Sequence, residues 1–212
     1  FVIVTAAFFL VRLAPGGPFL QEIELPEQTL ERLNAHYGFD EPLPVQYGRY
    51  LANLARGDLG PSLKHPAWSV NELIASRLPV SVELGLWALL VALVAGIGLG
   101  LLAAVRPNTA LDHVPMGLAM VGICLPTFVL GPLLLLGFAL NLEWTNVSGW
   151  VGARDRVLPA LTLGLFYAAY IARLMRGSML EVRNQDFMRT ALAKGASGGR
   201  LYLVHGLRNA LG

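Results

Sequence analysis

Charged residues are scarce in this chain of 212 residues, because Asp, Glu, Lys and Arg together make up 14% of it, against about 25% in a typical soluble domain. Cysteine is almost absent as well, since Cys124 is the only one. A single cysteine excludes an internal disulfide and a cysteine-based metal site. Apolar residues make up 55% of the chain. The composition therefore predicts an integral membrane protein, and we interpret Cys124, which lies in an apolar run, as a small core residue.

The sequence also lacks the motifs of common catalytic and nucleotide-binding sites. It contains no G-x-x-x-x-G-K-[ST] loop, no H-E-x-x-H motif and no Ser/His/Asp arrangement. The four histidines are scattered without metal-ligand spacing. A net charge of +2 carries no nucleic-acid signal, because the basic residues concentrate at one connector. We therefore expect no enzyme activity, no bound cofactor, no metal and no nucleic-acid partner.

Long uncharged runs are what the sequence has in place of charge. The run from Leu84 to Val105 has 22 residues, which as a helix would extend about 33 Å and cross a hydrocarbon core of about 30 Å. Two further runs, 114–142 and 157–172, carry no charge either. We predict membrane helices over about 79–105, 114–142 and 157–176, and the start of another over about 201–212, within a membrane domain of residues 79–212. The fold class is an all-α, polytopic bundle of transmembrane helices.

No ionisable side chain lies deep in a predicted span. The acids nearest the membrane, Glu83, Asp112 and Glu143, all fall at predicted helix ends. Carriers driven by a proton gradient usually keep an ionisable group inside the membrane, because it is costly there and retained for function. This pattern disfavours an ion-coupled carrier.

Residues 1–13 predict the end of a truncated transmembrane helix. The apolar stretch Phe1 to Val11 is too short to span a bilayer and lacks the basic region of a secretory signal. A signal-peptide remnant is the alternative. The chain begins without methionine and ends within a new apolar helix, so we expect it to be a fragment.

Residues 14–78 are polar enough to form a small helical insert outside the membrane. The segment Ala14-Pro15-Gly16-Gly17-Pro18 cannot continue a helix. Short helical faces follow, and Gly38 and Gly57 are placed to end them: these faces are Leu30, Leu33 and Tyr37, then Tyr47, Tyr50, Leu51 and Leu54. The pattern Ser69-Val70-Asn71-Glu72 predicts a capping box that opens a third short helix towards Arg77. A loosely ordered loop is the alternative.

Glycine and proline inside the spans predict packing and bending. Gly96 and Gly100 form a G-x-x-x-G pattern, which favours close approach of another helix within this subunit or from a partner. Pro126 and Pro132 each remove a backbone hydrogen bond and bend the second span. A structural kink is one interpretation of this site. The other is that Pro126, Thr127 and Pro132 form a hinge or line a substrate path.

Basic residues fix the orientation of the spans. After Ala172 the chain carries Arg173, Arg176 and further basic residues, which places this end in the cytoplasm, with Arg173 and Arg176 reaching lipid headgroups. The loop before the third span contains Trp144 and Trp150, as expected of an outer interface. Its two arginines, Arg154 and Arg156, run against the charge rule but are outnumbered.

A short amphipathic helix follows the third span within the loop 184–197. Asp186 is the predicted N-cap and Gly195 the predicted residue after the C-cap, which gives a helix over Phe187 to Lys194. Four residues share its apolar face: Phe187, Met188, Ala191 and Leu192. Arg189, Thr190 and Lys194 lie away from that face. A helix of two turns is marginal alone in water, so a partner or the headgroup layer must hold it.

Several blocks of this sequence resemble one family of membrane proteins. The segment RTALAKGAS, followed by LYLVHGLRNAL, resembles the cytoplasmic coupling loop of binding-protein-dependent ABC importer permeases of the peptide and nickel family. Gly195, Ala191 and Leu207 fit the glycine, second alanine and leucine of its pattern. Arg189 and Thr190 stand at the Glu and first Ala positions, and Arg208 replaces the proline. Further blocks recur in the same order in the first membrane subunit of oligopeptide importers: RLAPGGPF, GDLGPS, SVNELIASRLPVS, MGLAM and RGSMLEV.

The resemblance implies a multi-pass permease subunit of the type I importer kind in the bacterial inner membrane, with six helices in the full subunit. Its implied partners are a second permease subunit, two cytoplasmic ATPase subunits that bind ATP and Mg, a periplasmic peptide-binding protein, a peptide substrate and membrane lipid. The loop residues Phe187 to Leu192, Lys194 and Gly195 would couple the path to the ATPases, and the insert would face the periplasm. The alternatives are an ion-coupled carrier, a membrane scaffold, or a permease for dipeptides, nickel or glutathione.

Overall fold

The computed structural model describes residues 1–13, 38–62, 65 and 67–211, and these residues are almost entirely helical. Within them no strand forms beyond one isolated antiparallel bridge between Pro61 and Ser69. The predicted all-α class is therefore confirmed. The chain divides into two compact units, Phe1–Pro79 and Val80–Gly212.

The first unit contains α1 (Val2–Leu13) and α2 (Leu43–Ala55), joined by an aromatic cluster. The Phe8 ring is buried, and its centroid lies 5.1 Å from that of Tyr47 and 5.4 Å from that of Tyr50. The Arg12 guanidinium lies 3.8 Å from the Phe8 ring centroid. The tyrosine face predicted for α2 is therefore the face that packs within this unit.

Gly57 ends α2 as predicted. Its backbone is left-handed, with φ +77°, and its N–H donates to the Leu54 carbonyl at 3.0 Å, while the Asp58 N–H donates to the Asn53 carbonyl at 2.9 Å. These two bonds make a Schellman motif. The predicted break at 14–18 and the predicted helix face over 30–37 lie outside the described residues.

The helix α3 (Val70–Val105) begins with the predicted capping box. The Ser69 N–H donates to the Glu72 carboxylate at 2.8 Å, and the Glu72 N–H donates to the Ser69 hydroxyl at 3.2 Å. The Ser69 N–H and the Ser69 hydroxyl both donate to the Glu72 carboxylate and lower the pKa of this carboxyl. Glu72 lies well outside the uncharged run that starts at Leu84.

The prediction of a separate short helix before a span starting at Pro79 is wrong. One helix of 36 residues passes through Pro79, although an interior proline costs about 3 kcal/mol. The capped first turn on one side and the long packed apolar run on the other both favour helix, so together they outweigh one missing bond. At about 54 Å, α3 is longer than a hydrocarbon core of about 30 Å.

The predicted kinked span over 114–142 is two helices with an angle of 107° between them. They are α4 (Ala110–Cys124) and α5 (Thr127–Leu134), and α5 continues as a π-helical turn over Leu135–Asn141. The residue before a proline is driven to extended backbone, and Leu125 has φ −86° and ψ 115°. Pro126 therefore breaks the helix outright, whereas Pro132 lies inside α5 without a break.

The helix α6 (Ala153–Arg183) begins four residues before the predicted start of the third span. The Asp155 carboxylate accepts hydrogen bonds from the N–H groups of Val151 at 2.7 Å and Gly152 at 2.9 Å. Asn146 donates to the same carboxylate at 2.5 Å. This network caps the helix N-terminus, which explains the early start.

Close contact between α3 and α6 depends on glycine. A Cβ atom at Gly96 would lie 2.6 Å from Ile171 Cβ, and one at Gly100 would lie 2.5 Å from the Ala172 carbonyl oxygen. On the opposing helix, a Cβ at Gly164 would lie 2.7 Å from the Ala88 carbonyl oxygen. The G-x-x-x-G pattern therefore packs inside this chain, in a parallel pair of helices.

The bent pair of helices α4 and α5 also packs against α6. On α4, Ala119 packs with Ala169 and Ala172 of α6. On α5, a Cβ at Gly131 would lie 3.5 Å from Thr162 Cγ2. Since the two halves lie against successive stretches of α6, we interpret them as one broken span. Including this pair, the described residues hold three segments long and apolar enough to cross a membrane.

Short helical segments complete the second unit: α7 (Asp186–Ala193), α8 (Gly198–Arg200), a π-helical turn over Leu201–Gly206 and α9 (Leu207–Ala210). The helix predicted to start near 201 is therefore present, with a π-helical first turn.

The prediction that Cys124 is a core residue is wrong, because Cys124 is exposed at the end of α4. The face of α4 that meets α6 carries Ala119 instead.

Candidate coupling site

The helix α7 follows α6 after a two-residue link. The Asn184 N–H donates to the Glu181 carbonyl at 3.2 Å, and the Gln185 N–H donates to the Val182 carbonyl at 3.0 Å, so the link is hydrogen-bonded to the last turn of α6. The N-cap is Gln185 and not Asp186 as predicted. Asp186 takes helical backbone instead, and its carboxylate stands at the N-terminal end of the helix dipole.

The C-terminus of α7 forms a complete Schellman motif around Gly195. The Gly195 N–H donates to the Leu192 carbonyl at 2.9 Å, and the Ala196 N–H donates to the Ala191 carbonyl at 3.1 Å. Gly195 has φ +84°, as its predicted position requires. A Cβ atom there would meet nothing within 4 Å, so backbone conformation alone demands glycine at this position.

The predicted apolar face of α7 is divided between a covered part and an open part. Met188 is 3% exposed, whereas Phe187 is 40% and Leu192 is 60% exposed. Ala191 is half-buried, and α7 contacts the π-helical turn Leu201–Gly206 of the same chain. Helical periodicity places all four residues on one side but does not reveal how far neighbouring segments extend. The structure leaves Phe187 and Leu192 available to another molecule.

A cleft of 490 Å³ opens beside α7, and its lining combines apolar and basic residues. Lys194, Arg200 and His205 supply the basic part. Arg189 is less available, because its guanidinium lies 3.7 Å from the Asp186 carboxylate one turn earlier. That pair is exposed and contributes little to stability. The surface around α7 suits a partner with an apolar contact and acidic residues at its rim.

An ion pair near the C-terminal end of α6 was not predicted from the sequence: it joins Arg176, which is partly exposed, to the buried carboxylate of Asp112. Arg176 Nε donates to Asp112 Oδ1 and Arg176 Nη2 donates to Asp112 Oδ2, both at 2.6 Å. The prediction that Arg176 reaches lipid headgroups is therefore wrong. Arg173 stays near its own helix, with its guanidinium 5.2 Å from the Tyr170 ring centroid. The available signal was an acid in the first turn of α4 and an arginine just past the uncharged run of α6.

The opposite end of α6 carries a second ion pair. Arg156 binds the Glu83 carboxylate of α3, and Trp150 Nε1 donates to the same carboxylate at 3.1 Å. The Arg156 guanidinium lies 5.2 Å from the Trp150 ring centroid. Arg156 is therefore neutralised locally, which explains how an arginine that runs against the charge rule fits an outer loop.

The candidate hinge and pathway residues do not form one site. Pro126 is the N-cap of α5 and Thr127 its first residue, so both lie at the break. Pro132 instead lines a cleft of 820 Å³ with residues of α5, its π-helical continuation and the start of α6. Leu135, Leu158 and Thr162 are among the other residues of this mainly apolar cleft. The hinge role and the pathway role stay predictions for different residues.

Comparison with known proteins identifies the family of this arrangement. A family model described as binding-protein-dependent transport system inner membrane component matches residues 96–212. The oligopeptide transport system permease protein OppB of Haemophilus influenzae is 47% identical over 213 residues, and its Escherichia coli counterpart is 45% identical; each alignment covers 100% of this chain and 70% of the relative. The dipeptide transport system permease protein DppB of Bacillus subtilis is 43% identical over 210 residues, covering 99% of this chain and 68% of that protein.

Proposed function

The chain belongs to the family of binding-protein-dependent transport system inner membrane components, and from that premise we propose that it forms half of the translocation path of an ATP-driven oligopeptide importer. It is a multi-pass inner membrane protein and a transport subunit, not an enzyme. These relatives do not favour the ion-coupled carrier.

Oligopeptides are the proposed substrate because the relatives named for oligopeptide transport have the higher sequence identity to this chain. The relatives named for oligopeptide transport are 44–47% identical to this chain, and those named for dipeptide transport are 43% and 37% identical. The difference in sequence identity between the two groups is small. Dipeptides are therefore the second candidate substrate, and competition between a dipeptide and a longer peptide for uptake would separate the two.

Four kinds of partner complete the proposed importer. A second permease subunit supplies the other half of the path, two cytoplasmic ATPase subunits bind ATP and Mg, and a periplasmic binding protein delivers the peptide. This chain itself is proposed to hold no cofactor. The insert of residues 14–78 is the proposed docking region for the binding protein.

The observation that carries the proposal is the divided face of α7. Met188 is buried within the chain, while Phe187 and Leu192 stay open beside a cleft that carries Lys194. A short helix tied to α6 at one end and capped at Gly195 at the other can move as a rigid piece with α6. We propose that Phe187 and Leu192 contact the ATPase, and that Met188 holds α7 against the rest of this permease subunit.

Cysteine crosslinking tests this assignment. In the complete subunit carrying Cys124→Ser, Leu192→Cys should crosslink to a cysteine in the facing groove of a co-expressed ATPase subunit, and its yield should change when ATP binds. Met188→Cys is the matched control, because Met188 lies on the same helix but is buried. Equal yields from the two positions, or no crosslink from Leu192→Cys in an active importer, would refute the proposed face.

A further inference from the structure

The ion pair between Asp112 and Arg176 joins α4 to α6, the helix that leads into the proposed coupling site. Arg176 lies on α6 ten residues before Asp186, the first residue of α7. Asp112 lies in the first turn of α4, whose other end is the break at Leu125. The pair therefore connects the helix that carries α7 to the helix that leads to the hinge candidate.

The geometry of the pair resists sliding between the two helices. Two parallel hydrogen bonds of 2.6 Å fix both position and angle. The Asp112 carboxylate is 2% exposed and accepts a third hydrogen bond from the Asn108 N–H at 2.9 Å. A carboxylate held on three sides in a buried site has little freedom to follow a displaced guanidinium without moving its own helix.

Among the described residues, the rest of the contact between α4 and α6 shows no further hydrogen bond between side chains of the two helices. It is built from small side chains, among them Ala119, Ala169 and Ala172, and a Cβ at Gly122 would lie 2.8 Å from the Leu165 carbonyl oxygen. Small apolar residues let the two helices pack closely, and packed helices can slide past one another by small distances. The ion pair is therefore the contact that would transmit an axial displacement.

The break at Leu125-Pro126 allows α4 to move when it is displaced. Pro126 has no N–H, and the first hydrogen bonds of α5 return to the Pro126 carbonyl and not to α4. The α4 helix can thus tilt as a unit without unwinding α5.

We propose that Asp112 and Arg176 are positioning residues, which couple movement of α6 and α7 to tilting of α4 about Leu125-Pro126 during transport. This proposal rests on the proposed import function. It assigns neither residue a contact with peptide or nucleotide, since both act through the helices that they hold together.

The test is the number of peptides imported per ATP hydrolysed by the complete importer in proteoliposomes. The double variant Asp112→Leu/Arg176→Met removes the pair while leaving no unpaired buried charge, and such replacements often preserve stability. We expect the complex to assemble and to hydrolyse ATP while peptides imported per ATP fall about fivefold or more. Arg176→Lys keeps the charge but loses the paired geometry, so it should lower the number of peptides imported per ATP by an intermediate amount.

The matched control is the other ion pair of α6. Glu83→Leu/Arg156→Met removes the outer pair in the same way and should leave the peptide-to-ATP ratio unchanged. A wild-type ratio in assembled complexes carrying either inner-pair variant would overturn the proposal, as would an equal fall in the outer-pair variant. Absence of ATP-dependent peptide uptake in the wild-type importer would instead refute the proposed function, so the two failures are distinguishable.

Discussion

Arg156 and Arg176 lie twenty residues apart on α6, and each pairs with a carboxylate of a different neighbouring helix. Arg156 binds Glu83 of α3, and Arg176 binds Asp112 of α4. Twenty helical residues extend about 30 Å, which is the thickness of a hydrocarbon core. The two pairs therefore mark the two edges of the membrane-spanning part of α6, and each arginine has a protein partner in place of lipid phosphate.

The first prediction concerns the left-handed cap at Gly195. Gly195→Val should strain the backbone by about 1–3 kcal/mol and displace the end of α7, so that peptide uptake falls while ATP hydrolysis and membrane insertion persist. Gly199→Val is the control, because Gly199 has no positive φ and open space around it. Uptake and ATPase assays on matched amounts of complex measure the effect. Normal uptake with Gly195→Val would show that the cap is dispensable.

A second prediction separates two glycines on α3. Gly100→Val should lower the melting temperature of the purified subunit, because its Cβ would lie 2.5 Å from the Ala172 carbonyl oxygen and overpacking costs about 1–3 kcal/mol. Gly98→Val should leave it nearly unchanged, since a Cβ there meets nothing within 4 Å. Thermal unfolding in detergent checks both. Equal shifts for the two variants would mean that α3 packs through a different face.

The third prediction concerns the break between α4 and α5. Pro126→Ala restores a backbone N–H and removes the steric restriction on Leu125, so the bend of 107° should decrease towards a straighter helix. Spin labels at Met120 and Phe128, both exposed, should then move apart. Pro132→Ala is the control because Pro132 lies inside α5 without a break. A label distance unchanged by Pro126→Ala would show that packing, and not the proline, sets the angle.

Local requirements were predictable from the sequence and pairings between helices were not. Gly57 and Gly195 end helices where the pattern places them, because a left-handed residue after an apolar turn is a property of a few adjacent positions. The capping box at Ser69 and Glu72 is equally local. The pair of Asp112 with Arg176 depends on how α4 and α6 pack, and sixty-four positions separate the two residues, so no local pattern reveals it.

Prolines show the same division. Pro79 and Pro126 both interrupt helical patterns, yet α3 continues through the first, and the chain breaks at the second. The local chemistry of the two residues is identical, so the outcome depends on the packing of the flanking segments. The same holds for the apolar face of α7. Its residues were predictable from the sequence, but which of them the chain itself covers depends on the neighbouring π-helical turn.

The central claim is that α7 lies in the cytoplasm, across the membrane from the loop before α6. Its most direct test labels single cysteines with a membrane-impermeant thiol reagent in spheroplasts that carry the complete subunit with Cys124→Ser. Val151→Cys, at a position 94% exposed, should react in intact spheroplasts, and Leu192→Cys, at a position 60% exposed, should react only after the membrane is permeabilised. Reaction of both cysteines from the same side of the membrane would contradict the account.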